Sequence, residues 1–188
     1  PGRVFMLNLG IGSAAPTIAR SSNLDPREEV PQFIVFDAPS ASFIVGGSDF
    51  IPSGTETKRV DSVVKYSRNG RTGAISRRGA ATLTTDDNAL AGAGVVDSQR
   101  GFTYVGTSGV PGRIVKLSTG RGGAAPKVLN FAEAGGTLGN FSTGVIDTVN
   151  GFAYFGTFET PARIVKVNIS NTSASARPVI DRTTTLAE

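Results

Sequence analysis

The feature that most constrains this chain is an internal repeat. Residues 94–117 read GVVDSQRGFTYVGTSGVPGRIVKL, and residues 144–167 read GVIDTVNGFAYFGTFETPARIVKV. Asp97 and Asp147, Gly101 and Gly151, Tyr104 and Tyr154, Arg113 and Arg163, and Lys116 and Lys166 are each 50 positions apart. A weaker copy comes first. FIVFDAPSASFIVGGSD places Asp37 and Gly46 where Asp97 and Gly106 stand. After an insertion around 49–60, SVVKYS at 62–67 matches RIVKLS at 113–118. The opening PGRVFMLNLG matches PGRIVKLSTG at 111–120. Such a period marks one supersecondary unit used several times, each copy burying its neighbour's apolar face.

The unit is built of strands. A β-branched run ends in VFD, VVD or VID. A turn follows, then GFTYVGT or GFAYFGT, dense enough in apolar and aromatic residues for a buried strand. RIVKL alternates apolar and basic residues at period two. A fourth strand is expected near 73–79, at 127–135 and at 176–183. Val128–Ala134 is the best helical candidate and is too short to stand as one. Four short strands per unit, punctuated by Gly and Pro, is the pattern of a β-propeller blade. The expected fold is all-β: a partial β-propeller of about three and a half four-stranded blades. Residues 1–32 form the outer half of one blade, 33–93 a blade with an inserted hairpin loop, and 94–143 and 144–188 two more. Propellers close with about 4–8 blades, so the chain is expected to be a fragment of a larger ring. Its other blades would lie upstream, beyond residue 188, or on neighbouring subunits.

Composition narrows the function. The chain has no Cys and no His. Disulfides, Cys/His metal sites, haem-His ligation, catalytic triads and Cys–His pairs are therefore excluded within it. No catalytic, cofactor or metal site is expected, and no cofactor. No apolar run approaches the ~20 residues of a spanning helix, so no membrane span is expected. Nineteen Lys+Arg against 15 Asp+Glu leave a net charge of +4, which does not by itself identify an anionic ligand.

The GFAYFGTFETPARIVKV stretch resembles a repeat family of large secreted and cell-surface proteins of bacteria and protists, with the form VID…GFAYFGT…PGRIVKV. Similar repeats occur in mastigoneme-type surface glycoproteins. The resemblance covers Phe33–Lys65, Gly94–Ser118 and Gly144–Asn168 and the opening Pro1–Leu7, and is strongest in the last two full copies. It implies a β-propeller of the broad YVTN/NHL-like kind, with a scaffold or interaction role rather than a reaction.

Residues that recur once per blade read as structural. Asp37, Asp97 and Asp147 precede hairpin turns and suit turn caps that accept from backbone two residues on. A carboxylate ring for Ca²⁺ is the alternative, without the oxygen-rich loop it needs. Gly106 and Gly156 end the second strand, where a bulge or tight bend is expected. Arg3, Arg113 and Arg163 open the next strand and are expected to pair with the repeated Asp or with a neighbouring blade's carbonyls. A ring of Arg facing an anion is the sharper alternative.

Features outside the repeat are the better binding candidates. Lys65, Arg68, Arg71, Arg77 and Arg78 fall in a stretch without acids, a patch for an anionic partner such as phosphate, sulfated glycan or an acidic subunit. It lacks interleaved aromatics beyond Tyr66, so no nucleic acid is expected. The insertion Asp49–Arg59 carries an apolar Phe50-Ile51-Pro52 tip able to pack on a neighbour. Asp86-Asp87-Asn88 is the one oxygen-ligand cluster, better read as a polar turn. Asn140, Asn168 and Asn171 head glycosylation sequons.

These readings lead to a non-enzymatic structural or interaction segment of a larger extracellular or cell-surface filament protein. Its expected partners are other blades, neighbouring subunits and glycans. One alternative is a propeller lyase or glycosidase with a central-channel site, which would need blade-specific polar residues at 33–37, 94–97 and 144–147. Those strands are apolar and similar. A second alternative is an intracellular protein-interaction propeller.

Overall fold

A computed structural model describes residues 2–83 and 90–186, with side chains left undescribed at 49–53, 56–59 and 90–91. The fold is all-β, a partial propeller of strands in four antiparallel sheets. Strands β1 (Arg3–Asn8) and β2 (Thr17–Asn23) form a two-stranded sheet. The first full blade holds β3 (Val30–Asp37), β4 (Ser42–Ser53), β5 (Glu56–Arg68) and β6 (Ile75–Thr82). The second holds β7 (Leu90–Asp97), β8 (Phe102–Thr107), β9 (Arg113–Ser118) and β10 (Lys127–Glu133). The third holds β11 (Phe141–Asp147), β12 (Phe152–Thr157), β13 (Arg163–Asn168) and β14 (Val179–Thr185). Each blade is a simple meander in sequence order. The blade divisions at 33, 94 and 144 fall inside β3, β7 and β11, whose entry residues are not repeated in sequence. The insertion forms the long β4–β5 hairpin, in register from Ser42↔Ser67 to Ser53↔Glu56.

Blades stack face to face through three apolar cores. Val4 and Leu24 meet Phe43, Val45, Val64 and Tyr66. Ile44 and Val63 meet Val105, Val115 and Leu117. Tyr104 and Ile114 meet Phe155, Val165 and Val167. Because side chains alternate along a strand, one residue of each neighbouring pair faces the preceding blade and the other the following one. β8 is therefore buried along its whole length, whereas β12 alternates between buried and half-buried.

The repeated Asp caps its turn, chiefly from three residues on, and the Val149 N–H two residues on also acts on Asp147. Asp97 Oδ1 accepts from the Arg100 N–H at 3.1 Å, and Asp147 Oδ1 from the Asn150 N–H at 3.0 Å. The Asp37 carboxylate accepts from the Ser40 hydroxyl. The longer reach follows from a four-residue turn that ends in a left-handed residue: Gly101 (φ 75), Gly151 (φ 74) and, in the first blade, Ala41 (φ 45).

The strand-ending glycines serve close approach rather than a bend. The register shift lies on the inner strand opposite them, between Leu90 and Ala93 and between Phe141 and Thr143. A Cβ on Gly106 would stand 2.6 Å from Phe141 Cβ of the next blade, and one on Gly156 would stand 2.7 Å from Thr143 Cγ2. The threonines beside them close the following loop: the Arg113 and Arg163 N–H groups donate to Thr107 Oγ1 and Thr157 Oγ1 at 2.9 and 3.0 Å.

Candidate interaction site

Sequence reasoning placed Lys65 in the basic patch and missed the contact that the lysine of the RIVKL strand makes with the next blade. Lys65 and Lys116 stand at matching places in β5 and β9, on the side facing the next blade, and are 0% and 1% exposed. Lys65 Nζ donates to the carbonyls of Gly120 and of Gly122, the latter at 3.3 Å. Lys116 Nζ donates to Ser173 O at 2.7 Å and to Ala176 O at 3.3 Å. In both cases the ammonium enters the loop joining the third and fourth strands of the following blade. Burial pushes both ammoniums below the ordinary lysine value, and the charges of Asp37 and Asp97 oppose that shift. The recurrence of Lys65, Lys116 and Lys166 in one strand position was the available signal.

Lys166 occupies the same place in the third blade, the last sheet among the described residues. Its side chain is 32% exposed, lies 3.7 Å over the Phe152 ring and pairs with Asp181 at 3.3 Å. Lys116 sits 4.0 Å over Phe102 in the same way. Phe152, Tyr154, Ile164 and Lys166 thus form a face whose counterparts in the second blade, Phe102, Tyr104, Ile114 and Lys116, are all buried.

The basic patch divides. Lys65 is internal. Arg77 pairs with Glu28 at 2.8 Å and reaches Asp25 at 3.9 Å, partners 49 and 52 residues back in sequence. Glu28 is buried and also accepts from the Tyr66 hydroxyl. Arg68 and Arg78 remain together along a cleft of about 690 Å³ with Ser40, Ser67, Asn69 and Ser76. Arg78 Nε donates to Ser67 Oγ at 2.6 Å, and the buried Arg68 Nε has no partner. Arg71 is exposed on the neighbouring turn.

The repeated arginines do not reach the repeated aspartates. Arg3 Nε donates to Asn23 Oδ1 at 3.1 Å. Arg113 lies 4.5 Å over Phe131 and pairs with Glu133 at 3.6 Å. Arg163 pairs with Glu159 and donates to the preceding blade's Thr137 carbonyl at 3.3 Å, the neighbouring-blade contact expected of this position. Among the described residues no group of three or more acids is placed to hold a metal ion, and no helix is long and apolar enough to cross a membrane. Asp86-Asp87-Asn88 and the side chains of Phe50-Ile51-Pro52 lie outside the described residues.

Asn140 and Asn171 are exposed and Asn168 is half-buried. Asn168 and Asn171 turn their amide oxygens onto their own sequon serines, accepting from the Ser170 and Ser173 N–H groups at 2.9 and 3.1 Å. Val145 at the inner strand of the third blade is exposed and apolar, as are Ile34 and Phe36 in the first. No protein-family model matches this chain, and comparison with curated proteins finds no significant match.

Proposed function

We propose that this chain is a non-enzymatic structural and interaction segment of a larger extracellular or cell-surface filament protein, a propeller segment that works by stacking on further blades or neighbouring subunits. One observation carries the reading. The face formed by Phe152, Tyr154, Ile164 and Lys166 is chemically the face that the second blade buries against the third. A surface built of aromatic, branched aliphatic and carbonyl-seeking lysine side chains has its use in contact with another sheet. Among the described residues the exposed inner-strand side chains Ile34, Phe36 and Val145 are apolar, which supports a contact role over a central-channel reaction. The resemblance of the repeat to secreted and surface repeat proteins supports the extracellular placing, and the exposed Asn140 and Asn171 offer sites for glycans.

The test is the intact mass of the protein from its native source, with and without glycan removal. The reading expects a mass above the 19.4 kDa of this chain that falls when glycans are removed. A bare mass equal to 19.4 kDa would overturn the larger-glycoprotein reading.

A further inference from the structure

The junction of the first and second blades is built from smaller side chains than the junction of the second and third. Ser40 stands in the first blade where Arg100 stands in the second, Ser42 where Phe102 stands, and Ile44 where Tyr104 stands. At the second junction the Arg100 guanidinium pairs with Asp97 at 2.8 Å and donates to the Thr148 carbonyl of the next blade at 3.4 Å. At the first junction lies a cavity of about 160 Å³. Asp37 and Ser40 line it from the first blade, and Ser98, Gly101, Thr119 and Gly120 from the second. Both of these blades have all four strands.

The acceptors match at the two junctions and the donor differs. Asp37 and Asp97 are both buried. Asp97 Oδ1 accepts from the Arg100 N–H and Oδ2 from the Arg100 guanidinium. Asp37 accepts from the Ser40 hydroxyl, and its buried Oδ1 has no partner among the described residues. Its turn supplies none: Pro39, two residues on, has no N–H, and no side-chain cap forms on the short helical turn Ala38–Ser40. A buried carboxylate oxygen without a donor is costly, so the site calls for one. Ser98 takes the place of Thr148 and presents the matching carbonyl. Lys65 is not that donor, because its ammonium is held by the Gly120 and Gly122 carbonyls, as that of Lys116 is by Ser173 and Ala176. The second junction therefore gathers a carboxylate, a lysine ammonium and a guanidinium, and the first gathers the carboxylate and the lysine.

We propose that this cavity binds a guanidinium group, held by the Asp37 carboxylate and the Ser98 carbonyl as Arg100 is held by Asp97 and Thr148. A guanidinium is a planar fork of N–H donors with no acceptor, which suits a site made of oxygen acceptors around one carboxylate. An arginine side chain of a partner protein and a free small guanidine share this chemistry. The cavity lies where the β3–β4 turn meets the β7–β8 turn and the β9–β10 loop. It is therefore separate from the blade faces, and it does not depend on the stacking role proposed above. Arg121 also lines it and is exposed, so its charge opposes an entering cation.

Titration of the full chain with methylguanidinium chloride tests this, against sodium chloride at matched ionic strength. Binding is expected to saturate at millimolar concentration and to move the amide NMR signals of residues 40–41 and 119–122. It is expected to raise the thermal midpoint, whereas a denaturant acts linearly and lowers it. Ser40→Arg supplies the guanidinium from within the chain and is expected to weaken methylguanidinium binding by at least about tenfold. Asp37→Asn is expected to do the same, and Ser40→Arg keeps the test standing if Asp37→Asn fails to fold. Arg121→Ala is expected to bind at least as tightly as the parent chain. A capped peptide with one central arginine that binds more tightly than methylguanidinium assigns the site to a partner's side chain, and one that binds no more tightly assigns it to a free guanidine. The absence of a saturable shift overturns the site. So does a shift that Ser40→Arg leaves unchanged, or one that sodium or calcium chloride alone reproduces.

Discussion

The Lys116 ammonium lies 2.7 Å from the Ser173 carbonyl oxygen of the next blade and 4.0 Å from the Phe102 ring of its own. One side chain therefore joins two blades, with its charge solvated by backbone and an aromatic face instead of water. Hydrogen bonds to a charged group contribute more than neutral ones, and removing their donor leaves carbonyls unsatisfied. Lys116→Met, which keeps the stem, is expected to destabilise the chain by about 1–3 kcal/mol in urea denaturation. Lys166→Met, on the open face, is expected to cost less than about 1 kcal/mol in the dilute monomer. Equal losses would mean that the carbonyl contacts contribute nothing.

Ala41 occupies the left-handed turn position that Gly101 and Gly151 fill in the other blades. A Cβ there crowds the backbone. Ala41→Gly is expected to stabilise the chain by roughly 0.5–1 kcal/mol, even after the extra entropy glycine loses on folding. An unchanged or lowered melting temperature would contradict this.

Two buried tyrosines differ in their partners. The Tyr66 hydroxyl donates to Glu28 and accepts from the Asp25 N–H at 3.0 Å, whereas the Tyr104 hydroxyl has no partner. Tyr66→Phe is expected to cost about 1–3 kcal/mol, and Tyr104→Phe to be neutral or stabilising by up to about 1 kcal/mol. Chemical denaturation of the two variants reads the difference directly.

Stability on the alkaline side is set by opposing groups. Burial lowers the Lys65 and Lys116 values, so between those values and 10.5 the unfolded chain binds more protons and stability rises with pH. Burial raises the Tyr66 and Tyr104 hydroxyls above the ordinary 10.0. Above that point the unfolded tyrosines ionise while the folded ones do not, and stability falls. The urea midpoint is expected to climb toward pH 10 and then decline. Lys116→Met should flatten the climb and leave the decline in place. A climb of the same size in that variant would remove Lys116 as its source.

Much of the fold was legible in the chain. The near-copies at 94–117 and 144–167 located the strands and their meander order, because an apolar alternation with recurrent Asp and Gly turns has one economical folding per unit. The candidate site was legible only in part. Lys65 reads as one member of a basic run, yet its acceptors Gly120 and Gly122 lie in the next blade. Arg77 reads the same way, yet Glu28 and Asp25 neutralise it from a segment some fifty residues earlier. Local charge patterning cannot register partners that only strand stacking brings near.

The sequence by itself determined the repeat, the all-β class and which side chains share a strand face. It assigned Lys65, Lys116 and Lys166 equivalent places, and equally Phe102 and Phe152, Tyr104 and Tyr154, Ile114 and Ile164. Only the tertiary structure decided which of each set is buried. A strand face becomes core when another sheet covers it, and coverage is a property of the neighbour, not of the strand. Among the described residues the second blade has a sheet on each side, and the third has one.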